Sequence, residues 1–309
     1  VKLLNNLRSF VGFSDADSHS ETDTVIETIV VQAVPTIRAV NGYRQKLRDA
    51  VDTSLAHARQ LVDSLGEPVR VEPHLVSRDP LVGAFFTSTE EASRILGRVP
   101  AMAECFFLMV MVRRERKILG SAREGGMIQR GIVQVSETFT DHEILAASPS
   151  LQYTRRKLTH LIVQDLARKA AEDIVKAHKE RAELDYLRDV LKARLHTLEL
   201  DSADLPPLSD RKAKAEHAMD SIRQELRGVE QDIVGISPSL DSFDDYLEHV
   251  RQVLTTPQDN LTLKHVYMRL NEFGIKVDKY PDEPGSTISF IEVEGRMGRR
   301  AVLLACMRS

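Results

Sequence analysis

The sequence predicts an α+β protein built from a long antiparallel coiled-coil helical hairpin, a small mostly antiparallel sheet domain and a C-terminal helix-helix-hairpin module. Three observations predict it. From about Leu151 to Leu200 there is neither Gly nor Pro, and apolar residues recur at three- and four-residue steps. Between 67 and 147, short alternating or wholly apolar runs read as strands. Charged residues make up 28% of the chain and aromatics 5%, a balance that favours long solvated helices over an all-β domain.

In chain order, Leu3, Leu4, Leu7, Phe10 and Val11 fit a short amphipathic helix, and Ser14–Thr24 reads as linker, so 1–24 form one segment. A long helix is expected over 25–66. Thr24 and Glu27 make a capping-box start and Gly66 a stop. Its β-branched opening, Val25–Val34, runs into Pro35, so a strand there with a helix starting at Pro35 is the alternative. The sheet domain, 67–147, begins with alternation at Val69, Val71 and Leu75, then a second candidate strand at Leu81–Phe86. Ser88 and Glu91 cap a short helix that ends at Gly97. The apolar run Cys105–Val112 reads as a central strand buried on both faces, and Ile132–Thr138 as another. Gly125-Gly126 is expected to be a hairpin turn.

The hairpin occupies 148–235. Its long arm carries Val163, Leu166, Ala170, Ile174, Ala177, Leu184, Leu187, Leu191, Leu195 and Leu198. Asp204-Leu205-Pro206-Pro207 ends that arm. The short arm carries Ala215, Met219, Ile222, Leu226, Val229 and Ile233, alternating steps of four and three. The predicted coiled-coil seam joins Leu184, Leu187, Leu191, Leu195 and Leu198 to Met219, Ile222, Leu226, Val229 and Ile233. Helical rise gives the arms lengths of roughly 75 and 37 Å. The unmatched Val163, Leu166, Ala170 and Ile174 are therefore candidates for a partner surface, unless the sheet or the 35–65 helix covers them. The last segment, 236–309, is expected to hold a helix from Ser239 or Ser242 to Leu254, a second from Thr256-Pro257 to Phe273, a short strand at Ile275–Val277 and a hairpin around Gly295–Gly298. That order is winged-helix-like.

Chemistry is sparse. No glycine-rich phosphate loop, Rossmann fingerprint, nucleophile elbow or zincin motif occurs, so no catalytic or cofactor residue is assigned and a non-enzymatic role is expected. His160, His178 and His196 share one helix face, but neighbours lie about 27 Å apart and cannot ligate one metal. Cys105 and Cys306 are expected to be reduced core thiols. The apolar run at 105–112 is too short to span a bilayer, and the first residues show no signal core. Cytoplasmic residence without peripheral membrane contact is the expectation.

Two basic clusters stand out. Arg113, Arg114, Arg116, Lys117, Arg123 and Arg130 surround the predicted loop between two strands. Lys264, His265 and Arg269 with Arg296, Arg299 and Arg300 sit where a winged helix would meet phosphates. Nearly equal numbers of carboxylates and a net charge of −4 weigh against a nucleic-acid coat. The leading expectation is a scaffold or adaptor that meets a protein partner, or itself, through helices. The alternative is a nucleic-acid-associated protein using the C-terminal module.

Overall fold

A computed structural model describes residues 18–124, 127–203, 205–206, 210–236, 242–280, 282–296 and 298–308. The amphipathic segment at 3–11, Gly125-Gly126, Pro207 and Ser239 lie outside them. The chain is mixed helix and strand with an antiparallel sheet, as α+β requires. It divides into two units, one of 18–26, 48–166 and 253–308, the other of 27–47 and 167–252.

Two helices open the chain, α1 (Ser18–Gln32) and α2 (Tyr43–Ser64). The helix starts before Thr24, so residues 18–24 are helical rather than linker, and Val25–Val34 contains no strand. Pro35 explains the break: Val34 is extended, and a 3₁₀ turn at Pro35–Ala39 follows instead of a continuous helix. Gly66, with φ of +77°, stops α2.

The sheet contains β1 (Val69–Arg70), β2 (Glu104–Glu124), β3 (Met127–Ser148), β4 (Thr262–Leu270), β5 (Ser286–Gly295) and β6 (Gly298–Arg308). Its order is β3-β2-β6-β5-β4, with β1 beside β6 in the one parallel pairing among the described residues. Three C-terminal strands thus share one sheet with the strands before residue 148. Residues 275–276 then bridge β4 back to β3 through Leu270↔Lys276 and Ser136↔Ile275, closing a ring of hydrogen-bonded neighbours.

Four expectations change. Leu81–Phe86 is not a strand: α3 (Pro80–Phe85) takes its place, because Asp79 accepts from the Leu81 and Val82 amides and Pro80 fits the first turn. Leu75 lies in a 3₁₀ turn. The second C-terminal helix is absent: after a 3₁₀ turn at Pro257–Asp259, residues 262–270 form β4, so the winged-helix-like order fails. The basic residues at 113–130 sit on paired strands, since β2 and β3 form a ribbon that continues to Glu124↔Met127.

Inside the ring lies an apolar core of Phe107, Met109, Met111, Phe139, Met268, Leu270, Phe290 and Leu303, with Phe85 of α3 and Ile95 of α4 (Thr89–Leu96) packed against it. Met109 is fully buried while its neighbours Leu108 and Val110 are half-buried, so β2 is covered more on one face than the other. The Ser88 side chain caps α4 by accepting from the Glu91 amide, as expected.

The remaining helices follow from their patterns. α5 (Leu151–Ala203) runs without Gly or Pro, and α6 (Asp210–Gly235) follows it. Leu191, Ile222 and Val229 are buried together, with Leu184, Leu195, Leu198, Leu226 and Ile233 against them. Lys192 pairs with Glu230 at 3.9 Å and Arg223 with Glu199 at 3.2 Å. α7 (Phe243–Thr255) starts at Ser242, which exchanges hydrogen bonds with Asp245.

Burial of Ile222 gives a direct test of this cluster. Ile222→Asp puts a carboxylate among apolar side chains and should cost about 1–3 kcal/mol. Glu225→Ala, an exposed position on the same helix, should stay within about 0.5 kcal/mol. Equal denaturation midpoints for the two variants would mean that α6 faces α5 with other residues.

Candidate functional site

The four residues singled out as a partner surface are not on the surface. Val163, Leu166, Ala170 and Ile174 are all buried by the chain itself. The first turns of α5 are held from within the fold: Leu158 packs with Val62 of α2 and Leu304 of β6, and the His160 ring lies 2.8 Å from the Glu21 carboxylate of α1. The length mismatch between the arms was a sound signal of something packed there. Its occupant is this chain.

A different stripe is open. On α5 the residues Val175, Ala182, Tyr186, Val190, Ala193 and Leu200 are exposed, interrupted by Lys179 and Thr197. Their steps of three and four keep them on one side of the helix, and at 100° per residue that side lies roughly opposite Leu184, Leu191, Leu195 and Leu198. Tyr186 is 73% exposed, Val190 43% and Leu200 61%. Reading one seam for each helix hid this second stripe; heptad bookkeeping along both faces would have found it.

The histidines do not converge. His178 shares a hydrogen bond of 2.7 Å with the Tyr246 hydroxyl and meets its ring edge-on. His249 is half-buried, its ring nitrogens enclosed without a hydrogen bond and 3.8 Å from Asp173, and burial pushes its pKa below the usual imidazole range against that carboxylate's pull. His142 is lowered too, also by burial; its ring stacks on Phe86 and its Nε2 lies 2.7 Å from the Phe85 carbonyl oxygen. Among the described residues no group of three His, Cys, Asp or Glu could hold a metal ion.

A groove of about 480 Å³ is lined by Lys46, Asp244, Asp245, Leu247, Glu248 and Arg251. Its charges are already matched. Lys46 binds Asp244 at 2.9 Å, Arg251 binds Glu248, and the Asp245 carboxylate accepts from the Ser242 hydroxyl.

The C-terminal cations occupy β-strands and their connections. Arg296 is largely buried and bound to Asp165 at 2.9 Å, Arg299 lies 3.5 Å from Glu294, and Arg269 donates to the Glu283 and Gly285 carbonyls. Arg300 donates to the Arg299 carbonyl, while Lys264 and His265 are exposed on β4. Four of the six expected phosphate contacts are therefore committed within the protein.

The β2 cations split into two kinds. Arg113 belongs to a cluster at the edge of the apolar core: it binds the fully buried Glu137 at 2.9 Å and Glu292 at 3.2 Å, and also meets Glu115. Lys276 binds Glu137 at 2.7 Å and Glu115 at 3.0 Å. Burial pushes the Glu137 carboxyl up, but the hydrogen bonds from Arg113 and Lys276 outweigh it and hold it below the usual carboxylate range. Arg116, Lys117, Arg123 and Arg130 are exposed, and none has an ion-pair partner among the described residues.

Among the described residues the Tyr246 hydroxyl meets His178 and the Ser242 hydroxyl meets Asp245, each singly and without a third group beside it. No family model, curated protein or solved structure matches the chain.

Proposed function

We propose that the protein is a non-enzymatic scaffold or adaptor, in which α5 and α6 form an antiparallel coiled-coil hairpin and the outward stripe of α5 docks a helix from a partner or a second copy. The exposed stripe Val175, Ala182, Tyr186, Val190, Ala193 and Leu200 carries this reading. Apolar side chains at helical spacing in water gain free energy when a second helix covers them, and Tyr is a preferred interface anchor. The ion pairs Lys192–Glu230 and Glu199–Arg223 support the antiparallel sense, because the residue numbers rise on one helix as they fall on the other. Cytoplasmic residence belongs to the same reading. Cys105 and Cys306 are free thiols on neighbouring strands, and with Phe106 opposite Cys306 they project from opposite faces.

Sedimentation over a wide concentration range tests the proposal. The wild type should exceed the 34.8 kDa of one chain, or should retain a helical partner through purification. Tyr186→Glu with Val190→Glu should return it to a single chain without lowering its melting temperature. A strict monomer that gains no partner, with the double variant behaving identically, would remove the basis for a scaffold.

A further inference from the structure

We propose that one face of the β2–β3 ribbon is a docking surface for an anionic lipid bilayer. Beyond Met111, β2 no longer pairs with β6, and past the bridge between Ser136 and Ile275 the ribbon continues as two strands. Along β2, alternation puts Lys117, Leu119, Ser121 and Arg123 on one face. Opposite them on β3 stand Val135, Val133, Arg130 and Ile128. Arg130 and Ile128 join Val133 on this face because the register shifts between Gly120 and Ser121, where Gly131 adopts φ of +73°. The face thus combines Leu119, 77% exposed, Val133, 60%, and Ile128, 63%, with Lys117, Arg123 and Arg130.

The opposite face of the ribbon is covered in part. Gln134 and Ala122 are buried there, and the Gln134 side chain lies over Gly120, where any Cβ would meet its Oε1 at 1.9 Å. The Arg123 amide donates to the Glu283 carboxylate, which fixes the strand's edge. The face that carries Leu119 is cationic and apolar at once.

Three occupants compete for it. A second copy related by a twofold axis would bring Lys117, Arg123 and Arg130 against their own equivalents, which repel. A nucleic-acid duplex would complement the cations, but its phosphates offer nothing to Leu119, Val133 and Ile128 unless these wedge between bases. The headgroup region of an anionic bilayer accepts both classes together: apolar side chains enter the acyl boundary while Lys and Arg reach back to phosphates. Lying flat, the stretch from residue 117 to 123 spans about 20 Å, a footprint suited to a surface rather than a pore. These residues are distinct from the N-terminal helix considered from the sequence.

The test is co-sedimentation of the full chain with vesicles of phosphatidylcholine alone or with about 30% phosphatidylserine. The wild type should pellet with the anionic vesicles only, and less so as salt rises from about 0.15 to 0.5 M. Arg123→Gln with Arg130→Gln should weaken binding roughly thirtyfold, and Leu119→Ser with Ile128→Ser should weaken it comparably. All four positions are exposed, so the melting temperatures should match the wild type; Lys117→Gln supplies a milder variant should one pair fail to fold. Absence of wild-type pelleting, or pelleting unchanged in either double variant, would overturn the proposal. So would duplex DNA binding that the arginine pair loses and the Leu119/Ile128 pair keeps, which would assign the face to nucleic acid.

Discussion

Arg113→Ala should destabilise the protein by about 3–5 kcal/mol, while Arg114→Ala one residue along should cost about 1 kcal/mol or less. The two arginines differ only in the face of β2 they occupy. Arg114 is exposed and reaches the exposed Asp141 at 3.2 Å. Arg113 is mostly buried, and its loss leaves Lys276 alone against the carboxylates of Glu137, Glu115 and Glu292. Glu137, fully buried, suffers most. The double variant Arg113→Met with Glu137→Leu should recover much of the loss, since an apolar pair removes the fully buried uncompensated charge.

Acid should narrow the gap between wild type and Arg113→Ala. In the wild type the Glu137 pKa is held below its unfolded value of about 4.5, so its contribution is present above that pH and is lost as pH falls through the folded pKa. Without Arg113, burial acts with less opposition and raises the carboxyl, which then takes up a proton and sheds the buried charge. Thermal melts between about pH 7 and 4 should show the difference shrinking. A constant gap would mean that the ion pair is not what Arg113 contributes.

How far the sequence reveals this fold depends on whether each pattern has one reading. The long helix is legible because a gap-free run with repeated three- and four-residue steps fits nothing else. Residues 262–270 are ambiguous: Leu263, Val266 and Leu270 fit a helix, whereas Val266, Met268 and Leu270 fit a strand. The strand prevails because Met268 and Leu270 reach the buried core, with Met268 paired to Ile288. That pairing joins residues far apart in sequence, and no local pattern announces it. At Leu81–Phe86 the apolar run suggests a strand, but Asp79-Pro80 just before it is a helix start, and the helix prevails.

The surfaces were less legible for the same reason. Val163 and Ile174 look unpartnered along one helix pair, and only long-range packing buries them. The Arg113–Glu137–Lys276 cluster joins residues far apart in the chain, so charge counting near residue 113 groups Arg113 with the exposed cations of the ribbon although it belongs to an ion network. The outward stripe of α5, by contrast, is written in the sequence at heptad spacing.

Phe139→Ala should cost about 3–5 kcal/mol, and Phe273→Ala less than about 0.5 kcal/mol. Phe139 is buried and meets the ring of Phe85 edge-on at 4.8 Å and that of Phe290 edge-on at 5.3 Å. Phe85 comes from α3, Phe139 from β3 and Phe290 from β5, so one side chain joins a helix to strands on two sides of the ring. Truncation removes both edge-to-face contacts and leaves a cavity that this closed sheet can collapse only in part. Phe273 is a ring of the same size, but exposed, so its removal opens no cavity. Phe139 also stands opposite Arg113 on the β2–β3 ladder, and the Arg113 guanidinium lies 5.9 Å from the centre of the Phe290 ring. The apolar trio and the ion network therefore share a wall, and the costs of Phe290→Ala and Arg113→Ala should not add: the double variant should differ from the sum by at least about 0.5 kcal/mol. Denaturant melts of the two single variants and the double measure this coupling, and strict additivity would show that core and ion cluster are held independently.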